Sequence, residues 1–130
     1  MKMLDTNICS YILRRHPQSV LAHFAEQTAN DIFLSVIVVA ELRFGIEKTG
    51  SSRFRLLMED WLRPFPVHPW PAEAARIYAI LRADLERQGN PIGNMDLLIA
   101  AHALAEDAVL VTHNTREFER VAGLKLENWA

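Results

Sequence analysis

Three carboxylates in this 130-residue chain stand where a solvated acid would not be expected. Asp5 comes directly after the apolar start Met3 and Leu4. Glu41 lies in the segment VIVVAELRFGIEK, where the residues three and four positions away are Ile37, Val38, Phe44 and Gly45. Asp96 stands at the entrance of the run LLIAAHAL, after the Gly-containing loop NPIG. An ionised carboxylate on an apolar face costs several kcal/mol unless it finds a cation, a strong donor set or a proton. Each acid also has an ordinary alternative. Asp5 and Asp96 are good helix N-caps, and Glu41 has Arg43 and Arg76 as salt-bridge partners or simple exposure as an outcome.

The constellation favours a shared role. Converging carboxylates repel by roughly 4 kcal/mol per pair at about 4 Å and an effective dielectric near 20. A hard divalent cation, Mg²⁺ or Mn²⁺, resolves that conflict through oxygen ligands and suits hydrolysis of a phosphodiester. Zinc prefers His or Cys, and the five histidines form no HExxH or similar spacing.

The elements that must position these acids follow from periodicity and punctuation. Residues 2–4 read as a strand, residues 6–14 as a helix, and Pro17 as the start of a second helix with Val20, Leu21 and Phe24. A strand over 32–34 precedes a helix capped by Ser35 and stopped by Gly50, and a further amphipathic helix covers 54–62. PVHPW holds only a short strand between prolines. A long helix from Pro71 to Gly89, a helix over NMDLLIAAHALAE, a buried strand in AVLVT, a turn or short helix in NTREF and an edge strand in LKLENW complete the order. Alternation of this kind predicts an α/β fold, a mostly parallel central sheet flanked by helices on both faces, in one domain over residues 1–130. In such sheets ligands bind beyond the carboxyl ends of the strands. Asp5, Thr6 and Asn7 follow one strand, and His113, Asn114, Arg116 and Glu117 follow another.

Composition sets the outer limits. Half of the residues are hydrophobic, enough for a packed core, and a formal charge of −2 with a pI near 6.2 provides no global positive field for a polyanion. Eleven of the fourteen basic residues are Arg, the better fork for phosphate, so nucleic acid remains open as a local ligand. Cys9 is the only cysteine, which excludes an internal disulfide and a CxxC motif and marks a small core residue. No signal-peptide or membrane-length apolar run is present, and a cytoplasmic protein is expected.

The stretches MLDTN (3–7), SVIVVAELRFGIEK (35–48), PIGNMDLLIAAHAL (91–104) and LVTHNTREFERVAGLKLENW (110–129) together resemble the PIN-domain ribonucleases, and within them the VapC toxins of bacterial toxin-antitoxin pairs. The resemblance implies a PIN-like domain in which Asp5, Glu41 and Asp96 are the metal-binding, catalytic acids, with Thr6 and Asn7 supporting Asp5. It implies a fourth acid after the strand VLVT, where this chain has the amide Asn114. Glu117, three residues on, is the candidate to supply that carboxylate, directly or through water, against a plain surface role. The chain also has Asn94 and Met95 before Asp96, where relatives often place Asn immediately before the acid.

The implied activity is Mg²⁺-dependent (or Mn²⁺-dependent) endonucleolytic cleavage of RNA, leaving a 5′ phosphate and a 3′ hydroxyl, with tRNA, and initiator tRNA in enteric-type relatives, as target. Thr112 and Thr115 are candidates to position water or phosphate or simply to stabilise the turn, and Arg116 and Arg120 are candidate RNA contacts. The resemblance further implies a homodimer and a VapB-type antitoxin, for which Phe44, Leu57, Trp61, Leu62 and Phe65 offer a receiving surface or ordinary core. His102 reads as a satisfied helix histidine, His113 as a residue near the chemistry, and Trp61, Trp70 and Trp129 as isolated aromatics without an RNA-binding motif. Two rivals are a catalytically impaired PIN-like binding module and a receiver-type signalling domain. The latter should show an acidic pair after the first strand, a central phosphoacceptor Asp and a late Lys, a set absent in that order.

Overall fold

The computed structural model of the chain describes residues 1–130, the side chain of Ala29 excepted. Five strands, β1 (Lys2–Leu4), β2 (Ile32–Ser35), β3 (Val67–His68), β4 (Val109–Val111) and β5 (Lys125–Glu127), form one sheet in the order β3-β2-β1-β4-β5. All four neighbouring pairs are parallel, so the sheet is wholly rather than mostly parallel. The helices are α1 (Thr6–Arg14), α2 (Gln18–Ala25), α3 (Val36–Thr49), α4 (Ser52–Leu62), α5 (Ala72–Arg87), α6 (Asn94–Ala105) and the single turn α7 (Thr115–Phe118).

Parallel neighbours need crossover connections, and these are right-handed almost without exception. The chain moves from β1 through β2 to β3 at one edge, then returns to place β4 on the other side of β1 and β5 beyond it. Right-handed crossovers in opposite directions put the helices of the two halves on opposite faces. The reversal lies between β1 and β4, which makes the carboxyl ends of these two strands the place where a crevice opens. Burial agrees with covered faces: Met3, Leu4 and all four residues of β2 are buried, a continuous rather than alternating pattern. The core also takes Phe33, Leu110, Phe118 and Trp129, each burial of this size worth about 2–3 kcal/mol.

Local chemistry sets the helix ends. Ser35 Oγ accepts from Ile37 N–H at 3.1 Å and caps α3, whose first turn is β-branched and poorly helical by propensity; burial of Val38, Val39 and Leu42 overrides that. Gly50 ends α3 with φ +67°, a left-handed conformation natural to glycine. Pro17 and Pro71 stand one position before α2 and α5 rather than inside them. The face around Glu41 is only partly core, because Val38 is buried whereas Phe44 is 67% exposed. β3, two residues between prolines, is held to β2 partly by the Leu34 N–H donating to Pro66 O at 3.0 Å.

Candidate active site

Asp5 is delivered to the crevice by β1 and held there by β4. Its N–H donates to Val111 O at 3.0 Å, continuing the β1–β4 ladder one residue past the strand. Its side chain, 6% exposed, caps α1: Oδ1 accepts from Ile8 N–H at 2.9 Å. The Thr112 hydroxyl also donates to it. Burial pushes the carboxyl pKa up, these two hydrogen bonds pull it down, and the net result is above the ordinary aspartate value. Capping is therefore part of the role of Asp5, and a carboxylate kept out of water beside other acids is the remainder.

Glu41 stands on α3 with Oε1 accepting from the Thr6 hydroxyl at 2.6 Å, so α1 and α3 are joined at the site. The salt-bridge alternatives do not form. Arg43 pairs with Glu59, and Arg76 pairs with Glu73 at 2.7 Å. Thr6 thus supports Glu41, whereas Asp5 was its expected partner. Asn7 is exposed, and among the described residues no hydrogen bond joins its side chain to Asp5. Thr112, fully buried, does that work, and its Oγ1 also accepts from Asn114 N–H at 3.0 Å. A serine or threonine immediately after the strand that neighbours β1 is the signal that locates this partner.

Asp96 does not cap α6. The cap position is Gly93, and Asp96 is the third helical residue, inside the first turn. Its pKa is pushed up to about 7, first by burial, then by a hydrogen bond and charge from Glu117, and then by the charges of Glu41 and Asp5. Glu117 faces the crevice from α7, and Asn114 Nδ2 donates to its Oε2 at 2.8 Å. The amide at 114 orients the acid three residues later, a spacing that one helical turn brings together. Asp96 feels the charges of Glu117, Glu41 and Asp5, Asp5 feels that of Glu41, and both aspartates have raised pKa values. An all-oxygen, mutually repelling donor set of this kind fits a hard divalent cation and gives no soft ligand for another metal. Cys9 is fully buried, its thiol pushed well up by burial, and offers no nucleophile.

The remaining expected residues divide. Arg116 is exposed beside the site, whereas Arg120 Nη1 donates to Pro91 O at 3.3 Å and ties α7 to the loop before Asp96. His113 is exposed, edge-on to Tyr11 at 6.2 Å, and its charge lowers the pKa of Asp5. His102 is satisfied on both nitrogens, at 2.7 Å from Ser35 Oγ and 2.5 Å from Glu106 Oε2. Trp129 is buried, and Trp70 Nε1 donates to Leu98 O at 2.9 Å, both structural roles. Of the expected receiving surface, Phe44 and Leu57 are exposed, Leu62 and Phe65 are core, and Trp61 packs on Phe65 at 4.9 Å. An apolar groove of about 320 Å³ nevertheless runs from Glu41 and Thr6 past Leu13 and Ile46 to Phe54 and Met58. No helix is long and apolar enough to cross a membrane.

Comparison with known proteins agrees with this geometry. The PIN domain family matches residues 2–124. Ribonuclease VapC2 of Rickettsia felis is 42% identical over 129 residues, covering 98% of this chain and 96% of that protein. The tRNA(fMet)-specific endonuclease VapC of Shigella flexneri is 39% identical, covering 98% and 97%. Among solved structures, VapBC2 from Rickettsia felis bound to a DNA fragment from its promoter superposes with a TM-score of 0.89 at 41% identity, covering 99% of this chain and 98% of that one. These matches exclude a receiver-type domain, and with them the chain belongs to the PIN domain family, among its VapC members.

Proposed function

We propose that this protein is a metal-dependent endoribonuclease toxin, a single PIN domain acting in the cytoplasm, in which Asp5, Glu41, Asp96 and Glu117 hold Mg²⁺ or Mn²⁺. The observation that carries the reading is the gathering of four acids around one crevice, which also pushes the Asp96 pKa up, because such a set is stable only with a cation or a proton among its members. Bound there, the cation supplies Lewis-acid stabilisation of the charge that develops on a scissile phosphate. The chain's own residues set the geometry. Thr112 and the α1 N-terminus hold Asp5, Thr6 holds Glu41, and Asn114 holds Glu117, so three of the four carboxylates are oriented before a ligand arrives. Arg116, exposed beside Glu117, meets the phosphate backbone of the substrate.

The relatives' names support RNA as substrate and tRNA(fMet) as the specific target, and the VapBC complexes support a VapB-type antitoxin as partner; association as a homodimer completes the proposal. The apolar groove that begins at Glu41 suits an amphipathic segment whose basic end reaches the acids. The impaired-scaffold alternative loses its motive, since Glu117 provides a carboxylate where Asn114 does not. The test is cleavage of total RNA by purified protein in Mg²⁺ and in EDTA, with the new ends mapped. Magnesium-dependent cuts bearing 5′ phosphates are expected; cuts that persist in EDTA would overturn the reading.

A further inference from the structure

A second cluster of ligating side chains lies apart from the four acids. His68 ends β3, His102 lies in the last turn of α6, and Glu106 immediately follows that helix. One ligand atom from each falls within 4.8 Å of the others. The Glu106 carboxylate bridges the two imidazoles: Oε2 is 2.5 Å from His102 Nε2, and Oε1 is 2.8 Å from His68 Nδ1. We propose that His68, His102 and Glu106 form a transition-metal site that takes Zn²⁺ and fastens β3 to α6.

The chemistry and geometry of the cluster support it. The donor set is two nitrogens and one oxygen, which suits zinc and not the magnesium expected at the acids. His102, fully buried, has its other nitrogen at 2.7 Å from Ser35 Oγ, the kind of outer hydrogen bond that orients a ligating imidazole, and it turns Nε2 toward Glu106 and the cluster. His68 stacks on Phe33 at 4.2 Å, which fixes that ring as well. The side chains of His68 and Glu106 are 31% and 27% exposed, so solvent reaches the cluster and a water can complete a four-coordinate shell. Burial keeps His102 neutral, the form that ligates. Around a zinc ion with bonds of about 2.0–2.1 Å, tetrahedral donors stand about 3.3 Å apart, so the 2.5 Å and 2.8 Å contacts to Glu106 open by less than ~1 Å and a separation at the 4.8 Å limit of the cluster closes by about 1.5 Å. On binding, each neutral imidazole keeps its one proton on the nitrogen away from the ion: by exchange with solvent the His102 proton passes from Nε2 to Nδ1, which donates it to Ser35 Oγ, already the acceptor of Ile37 N–H.

The position gives the ion a structural consequence. β3 is a two-residue edge strand, Ser35 caps α3, and α6 begins at Asn94. Glu41 is on α3 and Asp96 on α6, so the clamp joins the helices that carry two of the acids. Neither the ribonuclease reading nor the cation at the acids is required for it.

The test is titration of metal-free protein with Co²⁺, read by visible absorption, and with Zn²⁺ against a chromophoric chelator. Wild type and the double variant Asp5→Asn/Asp96→Asn are expected to bind one equivalent at the histidines, with intense bands of four- or five-coordinate Co²⁺. His68→Ala and Glu106→Gln, both at solvent-reachable positions and checked for folding by circular dichroism, are expected to weaken zinc by about 100-fold or more. Zinc affinity unchanged in His68→Ala, or binding lost from the double acid variant alone, would overturn the proposal.

Discussion

Replacing Asp96 by asparagine should make the metal-free protein more stable, even as it removes a residue of the site. In the folded chain the Asp96 pKa rises from 3.8 to about 7. At about 1.4 kcal/mol for each pH unit, the full rise corresponds to about 4 kcal/mol of penalty for holding the charged form. Asp96 is only partly buried, and solvent screening reduces this to about 1–2 kcal/mol. The variant also loses a favourable carboxylate in the first turn of α6, worth about 0.3–1 kcal/mol. A net gain of about 1 kcal/mol remains, or roughly 3–6 °C in Tm for a chain of this size. The pH dependence fixes its origin. Because the folded pKa is above the unfolded value, folded protein keeps its proton between about pH 4 and pH 7 while unfolded protein loses it. Wild type therefore loses stability across that window, and the advantage of Asp96→Asn is absent below pH 4, grows to pH 7 and is level above. Thermal melts in EDTA at pH 4, 6 and 8 measure it, and added Mg²⁺ should raise Tm for wild type only. A variant that melts below wild type in EDTA at pH 8, or an offset equal at pH 4 and 8, would refute crowding of carboxylates as the cause.

Other expectations concern the residues that orient the acids. Glu117→Gln removes the acidic partner of Asp96, so the Asp96 titration, followed by carboxyl NMR in metal-free protein, should fall below 7; no change would place its cause elsewhere. Thr112→Val deprives Asp5 of a donor and leaves the Asn114 N–H unpaired, and denaturant unfolding should show a loss of about 1–3 kcal/mol. Ser35→Ala removes the α3 cap and the inner partner of buried His102, for a loss of about 2 kcal/mol by the same assay. Thr6→Val releases Glu41 with little change in stability, and a fall of about 10-fold in RNA cleavage should accompany it.

The elements were legible because each has a local cause. Thr6–Arg14 follows from apolar spacing and an aspartate cap, α3 from Ser35 and Gly50, and β3 is as short as its flanking prolines demand. The convergence of Asp5, Glu41 and Asp96 followed from strand ends and an apolar helix face. The partners were less legible, because a hydrogen bond depends on which atoms meet across elements. Thr6 turns to Glu41 rather than Asp5, and Thr112 reaches Asp5 only because β4 pairs with β1 in register, Leu4 beside Val111. Asp96 lies three residues past the cap position Gly93, since Asn94 and Met95 already open the first turn of α6. The His102–Glu106 spacing of four, from the last turn of α6 to its C-cap, was visible, whereas His68 joins them only through the parallel pairing of β3 with β2.

The most direct test of the central claim is the rate of initiator-tRNA cleavage in Mg²⁺ by wild type and by Asp5→Asn. The substitution keeps the cap acceptor and the shape of the side chain while removing the charge. A loss of at least about 100-fold is expected, with folding intact, if Asp5 holds the cation with Glu41, Asp96 and Glu117. An Asp5→Asn protein that cuts within about 2-fold of the wild-type rate would contradict the account.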